Sequence, residues 1–147
     1  MKRRQCYGVY HIGHECLHQH TLVLHHAPHC RSNQTFKYIL DDNATGAFRG
    51  LIRVDHGAAF TEAYQTNRNL VTSADAIMHT EPQLEIYCDE VKCGHGATTG
   101  QLDERALFYM RSRGIPEREA RKMLMQAFMA DVIDTITLPS LHRRVCI

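Results

Sequence analysis

The chain has 147 residues, of which 44% are hydrophobic and 22% are charged. This is enough for one ordinary globular domain, which would bury roughly 70% of the surface that its unfolded chain exposes. The 17 basic and 16 acidic residues nearly balance. That balance argues against a nucleic-acid or anionic-membrane partner, because both usually require an excess of basic residues.

The sequence shows no targeting or membrane segment. No apolar run approaches the roughly 20 residues needed to span a bilayer. The start "MKRRQCYGVYHIGHECLHQH" is basic but lacks the apolar centre of a secretory signal. We therefore expect a cytoplasmic protein whose six cysteines are mostly reduced thiols. Since no two of them have C-x-x-C spacing, a zinc ribbon or a thioredoxin-like motif is not indicated.

Residues 1–100 contain many short β-prone pieces, including "TLVLHHA", "QTFKYIL" and "AFRGLIRV". Turn-rich stretches such as "DDNATG", "QTNRN" and "CGHG" separate them. Short strands with such frequent turn signals predict an all-β sandwich, a barrel or a β-helix. The residues alone do not fix a repeat period.

After residue 100 the apolar residues follow the period of helices. Asp103 is expected to be the N-cap or a first-turn acid of a first helix, which Gly114 ends at the C′ position. Pro116 suits the first turn of a second helix, and Pro139 ends it. The apolar stripe predicted for that helix comprises Ala120, Met123, Leu124, Ala127, Phe128 and Ile136. Because the chain starts and stops within such patterns, we expect it to be a piece of a longer protein.

The segment Cys93-Gly94-His95 is the first candidate site. In an extended segment, residues two apart point to the same side, so one metal can meet both the thiolate and the imidazole. Two ligands do not complete a tetrahedral site, and other residues or another chain must supply the rest. The alternative is a buried thiol and a hydrogen-bonded histidine at a glycine-flanked bend. A cysteine nucleophile with its base is disfavoured, because neighbours at i,i+2 rarely have the required geometry.

Histidines cluster near the N-terminus, and such density can bind zinc, nickel or copper. A solvated polar face of the β region is the simpler interpretation. The residues concerned are His11, His14, His18, His20, His25, His26 and His29, with Cys16 and Cys30. A phosphate-binding role is not indicated, because neither G-x-x-x-x-G-K-[ST] nor G-x-G-x-x-G occurs.

The run "PQLEIYCDEVKCGHGATTGQLDERALFYMRSRGI" resembles a segment near the C-terminal end of the SufB/SufD family, the scaffold subunits of SUF iron–sulfur cluster assembly. "HTLVLHHAPHCRSNQTFKYILDDNATGAFRGLIRV" and "EAYQTNRNLVTS" resemble the SufD branch, so the similarity extends over about residues 7–136. It implies a right-handed parallel β-helix, partial and mainly β, in residues 1–100. A small α-helical domain, itself truncated, would follow in residues 101–147. The similarity also implies that the chain is the C-terminal part of a longer protein.

Two positions distinguish the SufB branch of the family from the SufD branch. SufB-like chains carry cysteine and glutamate where this chain has Thr66 and Gly96, neither of which offers a comparable ligand. The resemblance therefore implies the SufD branch, with the principal cluster ligands on a partner subunit. It places His95, with Cys93, at the subunit interface, where iron or a nascent iron–sulfur cluster would be held transiently. No cofactor is expected to stay bound to the chain alone.

The resemblance also implies two partners: a SufB-like scaffold, bound through the β-helix, and a SufC-like ATPase, bound through the C-terminal helices. Candidate ATPase contacts are any exposed residues among Phe108, Tyr109, Met125 and Met129. The isolated chain is expected to form a homodimer, because a SufD-type surface can meet its own copy symmetrically. We expect a scaffold and not an enzyme. The alternatives are a histidine-rich metal-binding module and a β-helix enzyme acting on polysaccharides.

Overall fold

The fold consists of seven strands followed by two helices. A computed structural model describes the backbone of residues 2–135, without the side chains of residues 2–5, 7, 10 and 11. The elements are β1 (Lys2–His11), β2 (Cys16–His25), β3 (Arg31–Leu40), β4 (Thr45–Val54), β5 (Glu62–Val71), β6 (Ile77–Ile86), β7 (Lys92–Gln101), α1 (Glu104–Ser112) and α2 (Glu117–Ile133).

Alternate strands belong to alternate sheets. The order is β1-β3-β5-β7 in the first sheet, called sheet A here, and β2-β4-β6 in the second, sheet B. All neighbours are parallel, and Lys2, Arg31, Glu62 and Lys92 follow one another across sheet A. The chain thus coils so that each strand is hydrogen-bonded to the strand one coil earlier. This arrangement is a parallel β-helix followed by two helices, which confirms the expected fold class.

The core between the sheets is aromatic at one end of the strands. Phe36 and Tyr38 of β3 meet Phe48 of β4, and the rings of Phe36 and Phe48 have centroids 4.5 Å apart. All three residues are at most 1% exposed. Burial of such side chains contributes about 1.5–3 kcal/mol each, so this cluster holds the two sheets together.

The first helix begins and ends where the sequence predicts. The Asp103 carboxylate accepts hydrogen bonds from the backbone N–H groups of Arg105 and Ala106, at 2.9 and 3.3 Å. Gly114, just after the helix, has a φ of +88°, a conformation that glycine adopts without steric cost. Pro116 is the N-cap of α2, one position before the first turn in which it was predicted.

The second helix packs on the outer face of sheet A, but not with the whole predicted stripe. Met123 is 48% exposed and Ala127 is also exposed, whereas Met125 and Met129 are buried. The burial of Met125, Met129, Val132 and Ile133 follows the i, i+4, i+7, i+8 pattern of a helix lying on an apolar surface. Ile39 and Leu70 of sheet A supply that surface. Of the predicted positions, Ile136 and Pro139 lie outside the described residues.

Two stretches predicted as turns lie inside strands. "QTNRN" is part of β5 and "CGHG" is part of β7. In a β-helix the neighbouring coil supplies the backbone hydrogen bonds of each strand, whatever side chains it carries. Gln65, Asn67 and Asn69 are buried and make side-chain hydrogen bonds inside the coil instead of forming a turn.

Candidate functional site at the last coil

Cys93 and His95 lie on the inner face of β7. Cys93 is the register partner of Ala63, and His95 is the register partner of Gln65. Ala63 and Gln65 are 0% and 1% exposed, and Gln65 reaches across to sheet B. Because successive strand residues alternate sides while register partners share a side, both candidate ligands point toward the interior of the coil. The structure thus places them on one face, the arrangement that a shared metal needs.

The two side chains differ in exposure because the interior opens at this coil. Among the described strands, β7 is the last of sheet A and β6 the last of sheet B. Cys93 is half-buried and packs against the buried cluster of Ile52, Val54, Ala58 and Ala63, whereas His95 is exposed. The imidazole is therefore the more accessible of the two groups.

Burial also determines the protonation of Cys93. It raises the pKa of the thiol, and a hydrogen bond with the backbone of Ala63 opposes the rise only in part. Since the thiolate is the form that binds metals, Cys93 is a weak ligand at neutral pH unless a metal displaces its proton. Of the pair, His95 is better suited to bind a metal first.

A column of side-chain amides lies directly beneath His95. Gln34 of β3 and Gln65 of β5 are register partners, and Gln65 Nε2 donates to Gln34 Oε1 at 3.0 Å. On sheet B, Gly50 faces this column, and a Cβ added there would lie 2.6 Å from Gln65 Nε2. Only glycine therefore leaves room for the Gln65 amide at this point.

Further polar groups line the interior next to the column. Asn67 Oδ1 accepts from Thr80 Oγ1 at 2.7 Å and from Asn69 Nδ2 at 2.8 Å. Asn69 Nδ2 also lies 3.2 Å from Thr99 Oγ1 of β7. The sequence alone does not single out these residues, because amides in short segments are typical of turns. The available signal was the recurrence of Gln34, Gln65 and His95, one coil apart.

The two positions that distinguish the SufB-like branch are neighbours on the opposite face. Thr66 and Gly96 are register partners and point away from the interior. A Cβ added at Gly96 would meet nothing within 4 Å. A cysteine and a glutamate at these two positions would lie side by side, and this chain offers only a hydroxyl group there.

The four candidate contacts on the helices divide into two kinds. Phe108 and Tyr109 of α1 are 73% and 59% exposed. Met125 and Met129 are 7% and 5% exposed and contribute to the core beneath α2. The two methionines therefore stabilise the docking of α2, and only the two aromatic residues are available at the surface.

The N-terminal histidines whose side chains the structure describes form no metal site. His25 is buried with Nε2 2.9 Å from Ser32 Oγ, His26 pairs with Asp55, and His29 stacks on Phe60 with centroids 5.0 Å apart. Within the described part of the chain, no three histidine, cysteine or acidic side chains are arranged to hold a metal ion. His11 lies among the residues whose side chains are not described. The described residues also include no helix long and apolar enough to cross a membrane.

The protein is thus a parallel β-helix whose last described strand, β7, carries the polar residues His95 and Thr99. Residues 3–128 match the family model for "SUF system FeS cluster assembly, SufBD core domain". The chain therefore belongs to the SufBD core family, as its resemblance to SufB and SufD predicted.

Individual relatives agree with this assignment. The chain is 45% identical over 125 residues to an iron–sulfur cluster assembly SufBD family protein of Synechocystis, covering 85% of this chain and 27% of that protein. It is 41% identical over 125 residues to the iron–sulfur cluster assembly protein SufD of Escherichia coli, covering 85% of this chain and 30% of that protein. The SufD protein of Bacillus subtilis is 33% identical over 107 residues, 73% of this chain and 24% of that protein. The chain thus spans less than a third of the length of each of these relatives.

Proposed function

We propose that this chain is a non-catalytic scaffold element of a SUF iron–sulfur cluster assembly complex. The family supports a role in cluster assembly, and two of the relatives are named SufD. Iron and the nascent cluster are the cargo of this role and not a resident cofactor. The chain contributes shape and one accessible imidazole, and a SufB-like partner contributes the principal ligands.

The placement of His95 is the observation that carries the proposal. It is exposed, on the inner face of the last described strand of sheet A, two residues from a half-buried thiol. A neutral imidazole is a competent ligand for iron, but one histidine and one protonated cysteine leave most coordination positions empty. A second subunit meeting the open coil would fill those positions.

The SufB-like subunit would bind at the edge of β7. Among the described strands β7 pairs only with β5 in sheet A, so one row of its backbone N–H and C=O groups faces outward from the sheet. Such an edge is a template for a strand of another chain. Without that partner the same edge suits a second copy of this chain, and the isolated protein would be a homodimer. Sedimentation velocity that finds only monomer would contradict the homodimer.

The ATPase would bind at α1. Phe108 and Tyr109 expose two neighbouring aromatic rings, and aromatic residues are enriched in the energetically important centres of interfaces. Replacing both by serine should abolish co-purification with a SufC-like ATPase while leaving the fold intact. Met123 of α2, 48% exposed, provides a control, because Met123→Ser removes an exposed apolar group from the other helix.

The test of His95 is anaerobic co-production of the protein carrying this chain with its SufB-like and SufC-like partners. Iron and acid-labile sulfide in the purified complex are measured for the wild type and for His95→Ala. We expect His95→Ala to lose most of both while the complex still assembles. His79→Ala removes an exposed histidine from the outer face of sheet B and should change neither. An unchanged iron and sulfide content in His95→Ala would refute the role of His95.

A further inference from the structure

We propose that a cleft at the start of β7 is a docking site for an arginine side chain of the SufB-like subunit, which stacks on Phe60 and pairs with Asp89 and Glu90. The inference rests on the proposed binding of that subunit along β7. It adds a recognition site at a turn of the β-helix, outside the candidate metal site.

The first observation is an exposed aromatic face. Phe60 lies in the turn between β4 and β5 and is 55% exposed. One face of its ring stacks on His29, in the turn one coil earlier, with centroids 5.0 Å apart and planes 15° apart. The ring therefore turns its other face toward the following coil, where no ring of the described residues stacks on it.

The second observation is the backbone that holds this ring. His29 and Phe60 have φ angles of +57° and +59°, and a bulky residue rarely adopts this left-handed conformation. The Phe60 N–H donates to the Glu90 carbonyl oxygen at 2.6 Å, which places the following turn next to the ring. The hydrogen bond and the stacked His29 thus hold an apolar ring at the surface instead of in the core.

The third observation is the cleft beside the ring. Phe60 lines an open cleft of about 360 Å³ together with residues 61, 62 and 89–92. This volume is at the lower end of the range for ligand sites in proteins, roughly 300–1,000 Å³. Lys92 of the lining is the first residue of β7, so the cleft is continuous with the strand edge proposed to bind the SufB-like subunit. A partner strand along that edge would bring its own side chains to the mouth of the cleft.

The fourth observation is the charge of the cleft. Asp89 and Glu90 are exposed, and neither makes an ion pair within the described part of the chain. Glu62, by contrast, is paired with Arg31 at 3.1 Å. The lining contains one lysine, Lys92, which the two unpaired carboxylates outweigh. The cleft is therefore negative and favours a cation.

These features together select arginine among cationic side chains. The guanidinium is planar, stacks on aromatic rings and carries five N–H donors in a fork that matches carboxylates. Stacked on the open face of Phe60, it would continue the column of flat groups that His29 begins. Its N–H groups would then face the side of the cleft that Asp89 and Glu90 line. A lysine ammonium offers the charge but no plane to stack on the ring.

The direct test is ¹⁹F NMR of the protein carrying this chain, labelled with fluorinated phenylalanine and titrated with acetyl-arginine amide. The Phe60 signal is identified by its loss in Phe60→Leu. We expect this signal to shift saturably with acetyl-arginine amide and not with acetyl-citrulline amide, which has a similar shape without the charge. The double variant Asp89→Asn, Glu90→Gln, which changes two exposed residues, should abolish the shift. The matched control is Asp41→Asn with Asp42→Asn, in the turn between β3 and β4, and it should respond like the wild type.

The same variants test the partner. The dissociation constant of the SufB-like subunit is measured by biolayer interferometry for the wild type, Phe60→Leu, the Asp89→Asn, Glu90→Gln double variant and the control. We expect Phe60→Leu and the acid variant to bind roughly tenfold more weakly than the wild type, and the control to bind equally well. The defect of the acid variant should shrink as salt rises from about 0.05 to 0.5 M, because salt screens exposed charges.

Equal shifts with the arginine and citrulline amides, or no shift with either, would overturn the inference. A defect confined to self-association of the isolated protein would also overturn it, because the arginine would then come from a second copy of this chain.

Failure of the inference and failure of the proposed function give different results. If the SufB-like subunit binds the wild type and is insensitive to Phe60, Asp89 and Glu90, the assembly stands and only the arginine site is lost. If it does not bind even the wild type, the proposed assembly fails, and the occupant assigned to the cleft is wrong as well.

Discussion

The ammonium group of Lys37 in β3 lies 2.5 Å from the carboxylate of Asp131 in α2 and joins the β-helix to its helices. The same Nζ donates to the carbonyl oxygen of Phe128 at 2.6 Å and lies 4.7 Å from the centroid of that residue's ring. The Lys37 side chain is 5% exposed and that of Asp131 is 57% exposed. The lysine is thus almost fully desolvated and depends on these partners.

Removing the acid should therefore destabilise the protein. Asp131→Ala leaves a buried ammonium group with one lost charge-assisted hydrogen bond, which costs about 1.5–3 kcal/mol. Lys37→Met combined with Asp131→Ala should cost less than the sum of the two single changes, because the buried charge is gone. Urea unfolding of the wild type, Lys37→Met, Asp131→Ala and the double variant measures the coupling energy between the two residues. The control is Glu119→Ala, which removes an exposed acid from the first turn of the same helix and should cost less than about 1 kcal/mol. If the losses in free energy of unfolding of the two single variants simply add up in the double variant, the ion pair is contradicted.

A side chain at Gly46 should destabilise the protein, in contrast to one at Gly96. A Cβ at Gly46 would lie 2.7 Å from Met78 Sδ and 3.1 Å from Leu40 Cδ2, inside the core, whereas at Gly96 it would meet nothing within 4 Å. Overpacking typically costs about 1–3 kcal/mol, so Gly46→Ala should shift the urea midpoint down. Gly96→Ala should leave it unchanged or raise it slightly. If the urea midpoint falls further in Gly96→Ala than in Gly46→Ala, the interior accommodates the extra methyl group at Gly46 and this prediction is wrong.

Stability should fall as the pH drops below neutrality, in part through His25. Burial lowers the pKa of its imidazole below 6.5, and the nearby His26 lowers it further. The unfolded chain then binds more protons than the folded chain just below pH 6.5, so the free energy of unfolding decreases as the pH falls toward the folded pKa. Unfolding in urea at pH 7.5 and 5.5 should show a smaller difference in His25→Gln than in the wild type. His79→Gln is the exposed control, and an equal pH dependence in His25→Gln and the wild type would rule out this contribution.

Cys93 should react with alkylating agents more slowly than Cys16. Burial raises the pKa of the Cys93 thiol and shields it, whereas Cys16 is exposed on the outer face of sheet B. Because only the thiolate attacks, Cys93 should be labelled slowly by iodoacetamide at pH 7 and faster as the pH rises. Peptide mass spectrometry at timed intervals follows both sites. Faster labelling of Cys93 than of Cys16 at pH 7 would mean that the inner face of β7 is more open than the structure shows.

The sequence predicted where strands and helices occur better than it predicted where each one begins and ends. The β-prone pieces, the N-cap at Asp103 and the end of α1 before Gly114 all match the structure. The β-helix itself was predicted from family resemblance, since the degenerate repeat gave no period. Strands β5 and β7 were divided by predicted turns because glycines and amides have low β propensity. Within a coil, the hydrogen bonds of the neighbouring strands outweigh that preference.

The candidate site was predicted only in part for a related reason. The i,i+2 spacing of Cys93 and His95 places them on one face of a strand, but the sequence does not say which face. That depends on the register with Ala63 and Gln65, which is set a coil earlier. The same limit applies to Met125 and Met129, whose burial depends on the rotation of α2 against Ile39 and Leu70. The metal role of His95 and the partner contacts of Phe108 and Tyr109 stay predictions.

In a β-helix the number of coils can change independently of the residues in the last coil. Each coil touches only the coils beside it, so repeats gained or lost on the far side of β1 would leave the Gln34–Gln65–His95 stack undisturbed. Evolution can therefore vary the reach of such a rod by duplicating or deleting whole turns, while selection acts separately on the final turn.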